Sequence, residues 1–192
     1  MSDKLQNKRI AILVTDGVEQ AELESPLKAL KEVGAQPRII SLKPGKIQGM
    51  HHAEKGDQFE VDDTLEHARA EEFDGLVIPG GLINPDTLRS TKEAVEFVRA
   101  FARAEKPIAA ICHGPWLLIE AGLVQDRRIT SWPAIQTDIK NAGGQWVDEP
   151  VVVDNGVVTS RKPDDLPYFN AKMIEEFAEG RHTGMADKRH AA

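Results

Sequence analysis

The chain holds a single cysteine, Cys112, and a histidine follows it directly in "KPIAAICHGPWLLIEAG" (Lys106–Gly122). A thiol beside an imidazole can act as a nucleophile with its own base, because the thiolate is the reactive form. The apolar residues before Cys112 predict a strand, and "PWLLIEAG" predicts a helix closed by Gly122. A chain that turns so abruptly places the turn residue near a helix N-terminus, where free N–H groups and the positive end of the dipole favour a thiolate. Gly114 permits the tight backbone, and Pro115 suits a first helical turn. A plainer reading competes. Free cysteine is among the most buried residue types and usually acts as a small hydrophobe. On these residues alone both readings stand.

Other elements must supply partners. "RIAILV" (Arg9–Val14) predicts a buried strand, and "TDGVEQAE" (Thr15–Glu22) a polar turn entering a helix with Leu23, Leu27, Leu30 and Val33 inward and Gly34 as its stop. "QPRIISL" (Gln36–Leu42) predicts a second strand, and Lys43–Asp57 a loop punctuated by Gly and Pro. "QFEVD" suggests a short strand, and a helix over "LEHARAEE" would be capped by Asp63 or Thr64. "DGLVIPGG" (Asp74–Gly81) is a strand ending in a Gly-Gly turn, and one helix is expected in Asn84–Lys106. "RRITSW" predicts a strand and "AIQTDIKNAGG" a helix. "EPVVVDNGVVTS" (Glu149–Ser160) predicts a hairpin turning at Asp-Asn-Gly, and "DDLPYFNAKMIEEFAEG" a last helix. Alternating strands and helices predict one α/β domain over residues 1–180: a mostly parallel sheet with helices on both faces and one antiparallel hairpin. The polar tail 181–192 is expected to fray.

In such a sheet ligands bind outside the carboxyl ends of the strands. Three of those ends carry chemistry: Glu19 or Glu22 after the first strand, the Gly80–Gly81 backbone, and Cys112–His113. If these strands are neighbours, the groups share a crevice. An ionised glutamate there would raise the thiol pKa, whereas a protonated one could donate a hydrogen bond to the thiolate. The N–H groups of Gly81 and His113 could form an oxyanion hole.

Composition narrows the function classes. The chain has 192 residues, 29% charged and 41% hydrophobic, and a net charge of −7. That size suits one domain with a full core. The negative balance argues against direct nucleic-acid binding. No apolar run approaches a membrane span, the N-terminus lacks a signal-peptide pattern, and one cysteine cannot form an intrachain disulfide, so a cytoplasmic location is expected. "MHHAE" (Met50–Glu54) offers two histidines and a carboxylate, but adjacent loop histidines chelate poorly and a solvated loop is expected, with no metal. His182 and His190 are expected to be solvated. Trp146 is expected in packing, and Trp116 and Trp132 either there or along the crevice. No nucleotide-binding glycine motif occurs, and no cofactor is expected.

"AAICHGPWLLIEAGLV", with "VIPGG" upstream and "DGVEQAELESP" near the start, closely resembles the PfpI/ThiJ superfamily, and its PfpI branch in particular. "RRITSWPAIQTDIKNAGGQWVDEPVVVDNGVVTSRKPDDLPYF" extends the likeness over nearly the whole chain. The resemblance implies a flavodoxin-like three-layer α/β sandwich, and assembly as a homodimer or higher homo-oligomer. It implies Cys112 as nucleophile, His113 as its base, Glu22 as a protonated carboxyl group touching the cysteine, Glu19 as a second acidic neighbour, and Gly81 at the oxyanion hole. In PfpI a further carboxylate comes from a neighbouring subunit. Asp86 in "PGGLINPDTLR" stands nearest that position, one methylene shorter and in a longer loop, which puts a protease-type triad in doubt. Class I glutamine amidotransferases resemble the cysteine elbow too, but "SRKPDDLPYF" lacks the histidine they need. The expected activity is a cysteine-dependent stress-protection enzyme acting on methylglyoxal or its early adducts on proteins and nucleotides. An oligomeric intracellular peptidase and a redox-sensing thiol protein are the alternatives.

Overall fold

The computed structural model describes residues 4–185. In chain order it contains β1 (Arg9–Leu13), β2 (Val18–Glu19), α1 (Gln20–Glu32), β3 (Gln36–Ser41), β4 (Lys46–His51), β5 (Glu54–Glu60), β6 (Asp63–Thr64) and β7 (Gly75–Ile78). Then follow α2 (Ile83–Arg89), α3 (Lys92–Arg103), β8 (Ile108–Ile111), α4 (Pro115–Ala121), β9 (Arg128–Ile129), α5 (Gln136–Asn141), β10 (Gln145–Trp146), β11 (Val151–Asp154), β12 (Val157–Ser160) and α6 (Leu166–Glu179). The central sheet runs β11-β12-β8-β7-β1-β3-β6, with β11 the one antiparallel strand. This is the flavodoxin-like arrangement.

Strand periodicity divides the core. Ile10 and Ile12 of β1 face a layer containing Leu23, Leu30, Phe169, Met173 and Phe177 of α1 and α6. Ala11 and Leu13 face the opposite layer, with Leu88, Val98, Phe101, Leu117 and Ile139 of α2 to α5. Successive side chains of a strand point to opposite faces, so a doubly covered strand is apolar throughout. Burying these side chains contributes about 1.5–3 kcal/mol each.

Five expectations need correction. Lys43–Asp57 is no simple loop: it contains β4 and the start of β5, which pair as a hairpin, and β4 adds β2 as a third strand. Its hydrophobic signal is weak because most of its side chains are exposed; Ile47 is buried and Phe59 half-buried. "LEHARAEE" forms turns and a short 3₁₀ segment at Ala70–Glu72, since Arg69 is extended. The single helix in Asn84–Lys106 is two, broken where Thr91 is extended and Ser90 and Thr91 hydroxyls donate to the carbonyls of Asp86 and Thr87. The strand in "RRITSW" is limited to β9, paired with β10 in a separate two-stranded sheet. Residues 181–185 fold back on the body, and the His182 side chain, expected to be solvated, is largely buried. Met185 is buried, Gly184 N–H donates to Glu105 Oε1 at 2.8 Å, and the buried Arg127 guanidinium donates to the Met185 carbonyl. The rest of the tail, with His190, lies outside the described residues.

The Asp-Asn-Gly hairpin forms as read, with Asn155 (φ 45°) and Gly156 (φ 78°) at its two-residue turn.

Candidate active site

β1, β7 and β8 are adjacent and parallel, so the loops after them open on one side. Those loops carry Glu19 and Glu22, Gly80 and Gly81, and Cys112 and His113. A crevice of about 560 Å³ is lined by Gly17, Glu19, Glu22, Gly81, Cys112 and His113, among others. Five of the six sequence-predicted site residues therefore meet. Asp86 does not line the crevice; it sits in α2 and its carboxylate accepts from Arg89 Nη2 at 2.7 Å.

The elbow itself is strained at the cysteine. Cys112 has φ 63°, a left-handed conformation that residues with a Cβ rarely adopt. Hydrogen bonds hold it there: Cys112 N–H donates to Ser160 O at 3.0 Å, Trp132 N–H donates to Cys112 O at 2.8 Å, and Gly114 N–H closes the turn on Ile111 O at 2.8 Å. Gly114 is required for space, since a Cβ there would lie 2.6 Å from Ile78 O. Pro115 begins α4 as expected.

Cys112 Sγ lies 3.2 Å from His113 Nδ1. The imidazole lies between two indoles, with Trp132 stacked at 5.8 Å and Trp116 tilted at 5.0 Å between ring centroids. Trp116 is held in turn by Asp138, which accepts from Nε1–H at 2.8 Å, and by Arg89 over its face at 4.3 Å. Burial among these rings pulls the His113 pKa down. The ring is therefore neutral at pH 7 and can accept the proton of the thiol.

Glu22 is fully buried. Its Oε2 accepts from Gly80 N–H at 2.9 Å, while Oε1 is buried without a conventional hydrogen-bond partner. Gly80 sits between carboxyl and cysteine; a Cβ there would lie 2.4 Å from Glu22 Oε2 and 2.6 Å from Cys112 Cβ. Burial pushes the Glu22 carboxyl up to about 8, against the smaller opposing effect of its contact with Cys112. Glu22 thus holds its proton at pH 7, and a proton on Oε1 is available to the sulfur.

The thiol departs from the sequence expectation. It is 6% exposed, α4 is only seven residues long, and burial pushes the Cys112 pKa up rather than down. A charge on Glu22 would push it further, but that contribution vanishes while Glu22 is protonated. The backbone N–H groups of Gly81 and His113 lie near the sulfur and favour its ionised form. Burial raises both acids, so the resting thiol and the Glu22 carboxyl group each hold a proton at pH 7. The neutral His113 can receive the proton that the thiol gives up.

Sequence reading missed several residues. Glu19 Oε2 accepts from His52 N–H at 3.0 Å, and Met50, His52 and Ala53 line the crevice. The "MHHAE" segment is thus a wall of the crevice, carried there by the pairing of β4 with β2. Gln20 ties the hairpin to α1 through reciprocal bonds with Asp57 at 2.7 and 2.8 Å. Asn84 is fully buried and clamps the Gly-Gly loop: its amide donates to Pro79 O and Gly80 O, and its carbonyl accepts from Thr15 N–H. An Asn three residues after a Gly-Gly turn was the available signal. Trp132 proves to be a crevice residue, and Trp146 packs against the core.

The DJ-1/PfpI family model matches residues 8–176. The chain belongs to the DJ-1/PfpI family. Relatives include Protein/nucleic acid deglycase 2 of Escherichia coli (strain K12), 40% identical over 171 residues, covering 88% of this chain and 96% of the relative. The protein named "Putative cysteine protease YraA" in Bacillus subtilis (strain 168) is 42% identical over 169 residues, covering 88% and 97%. Among solved structures, a two-domain protein of Anabaena variabilis containing a DJ-1/ThiJ/PfpI-like domain superposes with TM-score 0.84 at 34% identity. That match covers 96% of this chain and 52% of the other. Among the described residues, no helix of this family member is long and apolar enough to cross a membrane.

Proposed function

We propose that the chain is a cytoplasmic stress-protection enzyme in which Cys112 attacks carbonyl carbon of methylglyoxal or of its early adducts on proteins and nucleotides. One observation carries this reading: a strained Cys112 has a neutral imidazole 3.2 Å from its sulfur, a protonated Glu22 beside it, and two N–H groups directed at it. The deglycase name of the Escherichia coli relative supports the substrate class.

In the proposed sequence His113 takes the thiol proton and the sulfur attacks the aldehyde carbon. The C=O electron pair moves to oxygen, which the Gly81 and His113 N–H groups and Glu22 stabilise. A hemithioacetal forms. For methylglyoxal, moving the proton from C1 to C2 through an enediol converts it to a lactoyl thioester. Water then cleaves the C–S bond, releasing lactate and the thiol. Glu19, bonded to the hairpin, would hold the wall that covers the reacting carbon. No metal or cofactor enters this chemistry. Methylglyoxal loss and lactate release are the measurements, with Cys112→Ala as the comparison. Equal rates in both proteins would overturn the proposal.

A homodimer or higher homo-oligomer is proposed as the working unit. Leu82 and Ile83, 61% and 56% exposed at the rim of the crevice, are the surface a second copy would cover. Light scattering giving a monomer mass would refute it. The peptidase alternative needs Asp86 from a second copy to reach His113. In its own chain that carboxylate is already paired with Arg89, which weighs against the role.

A further inference from the structure

A second cluster lies away from the crevice. Glu176 and Glu179 stand three residues apart near the end of α6, and His182 follows in the segment that folds back on the body. One ligand atom from each lies within 4.8 Å of the others. Glu176 and His182 are 92% and 85% buried at the side chain, by exposures of 8% and 15%, while Glu179 opens to solvent. Glu176 Oε2 and His182 Nε2 approach to 3.2 Å, yet neither makes a hydrogen bond.

That contact is the informative observation. At 3.2 Å a histidine N–H aimed at a carboxylate would be a hydrogen bond, so the two atoms must be directed elsewhere. With His182 protonated the two form an ion pair, but neither buried atom has a hydrogen-bond partner, and buried polar atoms without one are costly. Two ligands of one tetrahedral ion, each about 2.0–2.2 Å from it, stand about 3.3 Å apart with their lone pairs converging on the ion and not on each other. The Glu176–His182 pair has about that separation without a hydrogen bond between the two atoms, and a ligand atom of Glu179 lies within 4.8 Å of both.

We propose that Glu176, Glu179 and His182 form a site for a divalent cation, with water completing the shell on the solvent side. One imidazole with two carboxylates suits zinc and similar borderline metals; calcium and magnesium prefer all-oxygen shells. The site would staple residues 181–185 to α6, adding to the hold of Arg127 on the Met185 carbonyl and of Glu105 on the Gly184 N–H. It uses none of the crevice residues.

The test is zinc titration of the full chain, stripped with a chelator and carrying Cys112→Ala so that the thiol cannot bind. Calorimetry should give one equivalent, and zinc should raise the Tm. Adding His182→Ala or Glu179→Gln should abolish both effects. Glu179 is exposed, so its variant should keep the Tm of the chelator-treated parent, which separates loss of a ligand from loss of fold. No stoichiometric binding by the parent, or full binding by both ligand variants, would overturn the proposal.

Discussion

Glu22→Gln is the sharpest probe of the buried carboxyl group. In the folded protein Glu22 keeps its proton up to about 8, whereas in the unfolded chain it ionises near 4.5. Between those values the unfolded state has lost a proton that the folded state retains. Stability therefore falls as pH rises through this window, and levels off above the folded pKa. A window of about 3.5 pH units at ~1.4 kcal/mol per unit amounts to about 5 kcal/mol, an order-of-magnitude figure. Glutamine cannot ionise, so the variant should lose this part of the slope. The assay is urea denaturation from pH 5 to pH 9, with Cys112→Ala in both proteins to remove thiol ionisation. The variant should gain on the parent by several kcal/mol across the window. Parallel profiles would refute a Glu22 that is neutral at pH 7. In the Cys112 enzyme, Glu22→Gln should keep a donor to the sulfur but slow the proton transfers. A lowered kcat with little change in KM would mark that loss.

Other consequences follow from the same geometry. Gly80→Ala would push a methyl group to 2.4 Å from Glu22 Oε2 and 2.6 Å from Cys112 Cβ; Cys112-dependent turnover should fall at least tenfold, read against the far-UV spectrum of the folded chain. Cys112→Gly should be more stable than Cys112→Ala by about 1 kcal/mol in denaturation, because glycine adopts a positive φ freely. Trp116→Ala should open the His113 ring to water and raise its depressed pKa towards the ordinary histidine value. The acid limb of the rate profile should move to higher pH, and Trp116→Phe should restore it.

The Cys-His-Gly-Pro elbow, the glycine stops and the strand alternation were legible because each is a local rule. Strand-end topology offered Glu19 or Glu22, and the family motif singled out Glu22; its protonation followed from burial that no local pattern encodes. The β4–β5 hairpin was missed because most of its side chains face solvent, and its position depends on Gln20 pairing with Asp57, 37 residues away. The docked residues 181–185 were missed because their partner, a buried Arg127, reads in sequence as an ordinary surface charge.

The sequence by itself determined the strand-to-helix turn at Cys112 and the family to which the chain belongs. Tertiary structure decided the state of the thiol. It packed His113 between Trp116 and Trp132 and brought Glu22 against Gly80, 58 residues away. It also took both acids out of water. Exclusion of water, and not spacing along the chain, sets where their protons reside.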